Sequence, residues 1–263
     1  MDLPLYGKKI LVTRAKEQAD VFAQQLKKVG ATPIVAPLLT IQPRLLTESN
    51  NVLDKLHDFT WVFFTSANGV KFFFKQLEWL AIPTTAVNHL HIAVVGEKTN
   101  KMLETFGFTA DFTPEFFQGK KMVKEFFKEY SKEQQILLVC GNLSRDDIPN
   151  ELQKHEVRFD RLDVYDTHIN WEIQSQLEHV LLKESIDVFT FTSPSTIDAF
   201  ETLTSHLSGD INRIKQTQLC LCIGTTTLER AKDVRFNHVR VPNEFTIDGM
   251  VQELITYFNE KVW

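Results

Sequence analysis

The chain has 263 residues, of which 43% are hydrophobic, and a formal net charge of −5 at neutral pH. That is enough apolar material for one large or two ordinary cores. The acidic balance, with an isoelectric point near 5.9, excludes a general nucleic-acid or membrane surface, for which a basic face is expected. The opening MDLPLYGKKILVT lacks the charged-then-apolar pattern of an export signal, and no run approaches the length of a membrane span, so a soluble cytoplasmic protein is expected.

Short apolar runs alternate with helical patterns along the whole chain, the pattern of βα units around a mainly parallel sheet. KKILVT reads as a strand. The next segment, EQADVFAQQLKKVG, reads as a helix with Val21, Phe22, Leu26 and Val29 on one face and Gly30 at its end. A strand at TPIVAP, an extended PLLTIQP, a polar helix near Asn51 to Phe59 and the strand WVFFTS follow, then a helix, ANGVKFFFKQLEWL. Next come HIAVVG with its helix to Phe106, a strand at ADFTP, a helix from Gly119 to Tyr130, ILLVCG with its helix, and the alternating RFDRLDVYDT. The last third holds a helix from Ile173 to Lys183, the strands DVFTFTS, LCLCIG and HVRVPN, and a final helix ending near Phe258. Cys140, Cys220 and Cys222 fall inside apolar runs and read as buried thiols. His89 and His91 have no third ligand at metal spacing, so a structural role is expected for them. No phosphate-binding loop, nucleophile elbow or dinucleotide fingerprint is present, and no cofactor is expected.

A weak internal repeat runs at an offset of 127 residues. Trp61 to Phe73 aligns with Asp187 to Phe200 so that Thr65, Ser66 and Phe73 fall on Thr192, Ser193 and Phe200. At the same offset ILVTR meets LLVCG, and IAVVGEKT meets LCLCIGTTT with one insertion. Buried strands resemble each other by chance, but an apolar run that ends in Thr-Ser and opens a helix twice over does not follow from core composition alone. The repeat implies two similar α/β units. Extended segments at Pro37 to Pro43 and Leu162 to Ile169 look like crossings between them. The expected division is a discontinuous first domain, 1–36 plus 170–263, a second domain, 40–164, and connectors at 37–39 and 165–169, with the ligand in a cleft between the domains.

Open α/β sheets bind ligands at the carboxyl ends of their strands. Those ends are rich in Gly, Ser, Thr and Asn and poor in Asp, Glu and His, which suits a polyanion held by backbone amides, hydroxyls and helix dipoles. The same composition does not suit metal-assisted hydrolysis, which needs clustered His and carboxylates. Any one Ser or Thr in such a turn is adequately explained as a helix cap. It is their recurrence at one sheet edge that points to a ligand.

Taken together, ILVTR, VFFTSANGV, AVVGEKT followed by LETFGF, LLVCGNLSRD leading to LDVYDT, FTFTSPSTIDAF, CIGTTT and FTIDGMV, in this order and spacing, resemble the uroporphyrinogen-III synthase family over essentially the whole chain. The resemblance implies two flavodoxin-like parallel-sheet domains joined by a two-stranded connector. It implies a cofactor-free enzyme that cyclises hydroxymethylbilane, a linear tetrapyrrole with eight carboxylates, to uroporphyrinogen III with loss of water and inversion of the terminal ring. Carried over by motif, the substrate-binding residues would be Arg14, Thr65, Ser66, Asn68, Gly69, Gly96, Gly141, Asn142, Arg145, Thr192, Ser193, Ser195, Gly224, Thr226 and Thr227, and Tyr165 would assist departure of the hydroxyl. The sequence departs from the family pattern at Ala15, Cys140 and Ser144, in place of a proline, an arginine and a second glycine. A monomer is expected, with at most transient contact with porphobilinogen deaminase and none with nucleic acid or membrane. The rival reading is a non-catalytic two-domain module that closes on a small polyanion.

Overall fold

A computed structural model describes residues 3–45, 52–115 and 119–260. In chain order the first elements are β1 (Lys9–Val12), α1 (Lys16–Lys28), β2 (Thr32–Val35) and β3 (Leu39–Pro43). The middle of the chain contributes β4 (Trp61–Phe64), α2 (Ala67–Trp79), β5 (His91–Val94), α3 (Glu97–Glu104), α4 (Gly119–Glu129), β6 (Gln135–Gly141), α5 (Asp147–Lys154) and β7 (Arg158–Ile169). The remainder holds α6 (Gln174–Lys183), β8 (Val188–Phe191), α7 (Pro194–Leu203), α8 (Ser208–Thr217), β9 (Leu219–Cys222), α9 (Thr225–Asp233), β10 (His238–Arg240) and α10 (Ile247–Glu260).

These elements form two units. Met1–Thr40 and His168–Trp263 make the first, and Ile41–Thr167 the second. The first sheet has the order β10-β9-β8-β1-β2 and the second β3-β7-β6-β4-β5. Within the first, β10–β9, β9–β8, β8–β1 and β1–β2 pair in parallel; within the second, β7–β6, β6–β4 and β4–β5 do. The chain passes between units along β3 and β7, which are neighbours at one edge of the second sheet.

Each sheet is buried on both faces, because successive strand side chains point to opposite sides. In the first unit Leu11, Phe189, Phe191, Cys220 and Cys222 pack with Phe200 and Phe236 on one face, while Ile10, Val12, Val188, Leu219 and Leu221 pack with Phe22, Leu26 and Met250 on the other. In the second, Val62, Phe64, Leu137 and Val139 join Phe73 on one face, and Trp61, Phe63, Ile136, Leu138 and Cys140 join Phe126 on the other. All three cysteines are thus buried strand thiols, and Cys220 and Cys222 lie with their Sγ atoms 3.8 Å apart.

The two sheets have one plan. Read from the edge, β2-β1-β8-β9-β10 corresponds to β7-β6-β4-β5 followed by the isolated parallel bridge between Ala93 and Phe112. The pairs β1/β6, β8/β4 and β9/β5 are the ones the 127-residue repeat aligns. Neither unit is therefore one copy of the repeat. The first copy supplies β1 to the first unit and β4 and β5 to the second; the second copy supplies β6 to the second unit and β8 and β9 to the first.

Four local expectations need correction. Val21 is 57% exposed, and the buried face of α1 is Ala19, Phe22, Ala23 and Leu26; Val21 lies about a hundred degrees around the helix from Phe22, on the wrong side of that stripe. The polar helix after Pro43 is a 3₁₀ segment, Val52–Asp58, with a kink at Lys55, and its buried Leu53 and Leu56 sit three apart, as a three-residue turn requires; Asn51 lies outside the described residues. ADFTP makes an isolated bridge at Phe112 rather than a strand. Helix α8 is unexpected because SGDINRIKQT is polar; it docks through Ile211 and through Lys215, whose side chain is buried and paired with Glu201. Gly30, which ends α1, has φ +93°, and a Cβ there would stand 2.5 Å from that of Leu3, so glycine is required on both counts.

Candidate functional site

Sheet order locates a switch point in each unit. From β1 the chain continues to β2 on one side of the first sheet, whereas from β8 it continues to β9 on the other. In the second sheet β6 leads to β7 on one side and β4 to β5 on the other. Ligands of doubly wound sheets bind where neighbouring strands diverge in this way. The loops there are Arg14 with Thr192, Ser193 and Ser195 in the first unit, and Gly141, Asn142 and Arg145 with Thr65, Ser66, Asn68 and Gly69 in the second. Gly96, Gly224, Thr226 and Thr227 lie at the ends of the adjoining strands β5 and β9.

The turns that the repeat aligns have the same geometry. Ser66 (φ −161°, ψ 158°) caps α2 and accepts the Gly69 N–H at 3.0 Å. Ser193 (φ −162°, ψ 157°) caps α7, accepts from the Thr196 N–H at 3.3 Å and has Ser195 Oγ at 2.9 Å. Gly96 and Gly224, both extended, stand at the caps of α3 and α9, where no side chain satisfies the first N–H groups. Thr226 is exposed at the start of α9, whereas Thr227 is buried, which leaves its backbone rather than its hydroxyl for any ligand.

In the second unit two of these residues, Ser66 and Gly141, stand against one phenol. Tyr165, on β7, lies opposite Gly141 of β6, at a point where the register shifts after Cys140. A Cβ on Gly141 would come within 2.3 Å of the Tyr165 ring, so glycine is what allows the ring to lie over the strand end. Phe72 of α2 packs against the same ring, with centroids 5.6 Å apart. The phenol oxygen is 3.2 Å from Ser66 Oγ. Burial, opposed first by the Ser66 hydrogen bond, pushes the phenol above its ordinary value and keeps it neutral. Neighbouring Cys140 is pushed up likewise, chiefly by burial.

The loop after β6 is fixed around this group. Ser144 Oγ accepts the Gly141 N–H at 3.0 Å. Asn142 continues the β6–β7 ladder with its side chain, accepting from Thr167 N–H at 2.8 Å and donating to the Thr167 carbonyl at 3.2 Å. Arg161 donates to Asp163 and Asp146, each at 3.0 Å, and to the Gly141 carbonyl at 3.3 Å. Arg145 is 65% exposed and pairs with Asp147 at 3.0 Å. Thr65, Ser66, Val95, Ser144, Arg145, Asp147 and Ile148 line a pocket of about 220 Å³. Thr65 Oγ1 donates to the Val139 carbonyl at 3.3 Å. Asn68 lies in the first turn of α2, two residues after the Ser66 cap.

The first unit has no counterpart of the phenol among its described residues. Thr13 and Thr190, both buried, cross-link β1 and β8 through each other's strand carbonyls at 2.7 Å. Arg14 is bonded through Nε to Gln18, and burial lowers its pKa. Thr192 is half-buried. Phe245, in the FTIDGMV segment, is 55% exposed and stands 3.3 Å from where a Gly224 Cβ would be. Arg161 and Phe245 lie beside these loops without being singled out by the sequence, where the alternation of charge on β7 is the signal available for Arg161; Ser144 is legible there only as a member of the loop after β6. Among the described residues no cluster of His, Cys, Asp and Glu could hold a metal. His89 bonds to the Leu56 carbonyl and His91 lies near Asp111. Among the described residues no helix is long and apolar enough to cross a membrane.

Comparisons with known proteins find relatives of the chain. The family model described as "Uroporphyrinogen-III synthase HemD" matches residues 20–252. The porphyrin biosynthesis protein HemD of Ruminiclostridium josui is 29% identical over 256 residues, 97% of this chain and 49% of that protein. A putative uroporphyrinogen-III synthase of Methanocaldococcus jannaschii is 30% identical over 254 residues, 94% of this chain and 98% of that protein. The chain thus spans about half the length of the first relative and nearly all of the second. A mutant uroporphyrinogen III synthase of Thermus thermophilus superposes with a TM-score of 0.67 over 97% of this chain and 100% of that one; at 14% identity the likeness is one of fold.

Proposed function

The chain belongs to the uroporphyrinogen-III synthase family, and from that membership we propose that it cyclises hydroxymethylbilane to uroporphyrinogen III with Tyr165 as its catalytic residue. The observation that supports this role is a neutral phenol at the switch point of the second sheet, laid over Gly141 and hydrogen-bonded to Ser66. A general acid must hold its proton until the reacting group takes it, and burial keeps this one protonated.

Departure of the terminal hydroxyl is the step that needs a proton. Donation from Tyr165 converts the hydroxyl to water and leaves a phenolate. The terminal ring then attacks through a spiro intermediate and is inverted before closure. The pyrrole that closes the macrocycle gives up a proton, the phenolate regains one, and the net loss is one water. The groups able to take carboxylates are, in the first unit, the uncapped helix start at Gly224, Arg14 and the hydroxyls of Thr192, Ser195 and Thr226 and, in the second, the uncapped helix start at Gly96 with Asn68 and the loop of Arg145. A substrate that closes spontaneously to the wrong isomer needs holding more than it needs a strong base, so fixed donors supply most of the selectivity. We read the protein as a cytoplasmic monomer that meets porphobilinogen deaminase only transiently.

The test is isomer analysis. Hydroxymethylbilane is generated in place by porphobilinogen deaminase, the protein is added, and the oxidised products are separated. Predominant type III uroporphyrin is expected. Type I alone, at the spontaneous rate and with folded protein, would leave a binding module as the better account.

A further inference from the structure

The hydrogen-bond inventory around Tyr165 is lopsided. Ser66 Oγ already accepts the Gly69 N–H at 3.0 Å, and Ser144 Oγ already accepts the Gly141 N–H at 3.0 Å. A serine hydroxyl has one proton and two lone pairs, so each anchored serine still has its own proton to give. Ser66 Oγ lies 3.2 Å from the phenol oxygen. Ser144 is anchored at Gly141, the strand-end residue that the Tyr165 ring lies over. The anchor of Ser66 is the backbone N–H of Gly69, in the first turn of α2. The counterpart of Ser66 in the first unit, Ser193, faces Ser195 and Thr196 instead.

We propose that Ser66 is a positioning residue for Tyr165, held by a backbone N–H and donating to the phenol oxygen, so that the phenol's own proton is left for the departing hydroxyl and the resulting phenolate is stabilised. This rests on the reading of Tyr165 as the general acid, and it gives Ser66 a different task from contact with a substrate carboxylate.

The two tasks predict different kinetics. A serine that binds substrate changes KM and does so whether or not Tyr165 is present; one that acts through the phenol changes kcat and only while the phenol is there. Ser66→Ala is expected to lower kcat about tenfold with KM altered less than about twofold, the effect of one lost hydrogen bond to a developing charge. Ser66→Thr, which keeps the hydroxyl, should retain most of the activity. In a Tyr165→Phe background Ser66→Ala should cost less than about twofold more. Ser66→Gly, which also removes the hydroxyl but is a better helix cap than alanine, provides a second probe if Ser66→Ala folds poorly. A titration of phenolate absorbance, taken as the difference between each protein and its Tyr165→Phe partner, should move to higher pH when the Ser66 hydroxyl is removed. Full additivity in the Tyr165→Phe background, or a loss confined to KM, would overturn the proposal. Full activity of Tyr165→Phe alone would instead remove the reading on which it rests, and that result is visible before any serine is changed.

Discussion

The two units share a sheet order, a pair of serine caps with matching dihedral angles and a pair of extended glycines at the adjoining strand ends. They differ in what stands over the first strand of the switch point. In the second unit Gly141 leaves room for the Tyr165 ring, whereas the residue aligned with Gly141 in the first unit is Arg14, bonded to Gln18. One scaffold thus presents a neutral proton donor in one case and a fixed positive charge in the other. The difference separates what the fold supplies in both units, capped helix starts at a divergent pair of strands, from what individual residues add, which is the chemistry.

Substitutions at equivalent positions can break that comparison. The largest effect is expected at Gly141: Gly141→Ala places a methyl 2.3 Å from the Tyr165 ring, so the ring must leave and turnover should fall by about two orders of magnitude or more, with about 1–3 kcal/mol of overpacking cost in a denaturant titration. Tyr165→Phe keeps the ring and removes the hydroxyl, with its proton and its hydrogen bond to Ser66, and should lower turnover by one to two orders of magnitude with the melting temperature little changed. The serine caps give a sharper contrast. Ser66→Ala and Ser193→Ala should each cost about 1 kcal/mol of stability as lost N-caps, while only the Ser66 change reduces kcat. Among the arginines, Arg14→Ala should raise KM about tenfold, because a partly buried guanidinium held at the switch point binds a carboxylate strongly, whereas Arg145→Ala should change KM by about twofold or less, its side chain being 65% exposed and paired with Asp147. The smallest effect concerns pH. On the proposed mechanism the acid form of Tyr165 is the active one, and burial moves its pKa upward, so the alkaline fall in kcat should lie above the ordinary tyrosine value of about 10; a fall centred below about pH 9 would exclude this phenol as the donor.

Much of the fold is legible in the sequence because buried parallel strands are nearly continuous apolar runs, and the runs at Ile10, Trp61, Ile92, Ile136, Val188 and Leu219 stand out from polar surroundings. Elements whose burial depends on tertiary partners are not legible. Helix α8 is polar in sequence and is held by Ile211 and by the buried Lys215–Glu201 pair, and the isolated bridge at Phe112 exists only because β5 lies beside it. The repeat is visible at Thr65-Ser66 and Thr192-Ser193, yet its interleaving between the units is not, since that depends on which strands pair. At the site, the strand-end turns are readable as caps, but no local pattern says that Tyr165 lies over Gly141, a residue of the preceding strand. Ser144 and Arg161 acquire meaning only once that contact is known.

The most direct test of the central claim, that the second unit's buried phenol drives loss of the hydroxyl, is the rate of type III uroporphyrinogen formation by Tyr165→Phe beside the unsubstituted protein, in single turnover on hydroxymethylbilane generated in place, with circular dichroism to confirm the fold. A rate about ten to one hundred times slower, with type III still the product and substrate binding retained, is the expected result. An unchanged rate would contradict the account and move the chemistry away from Tyr165.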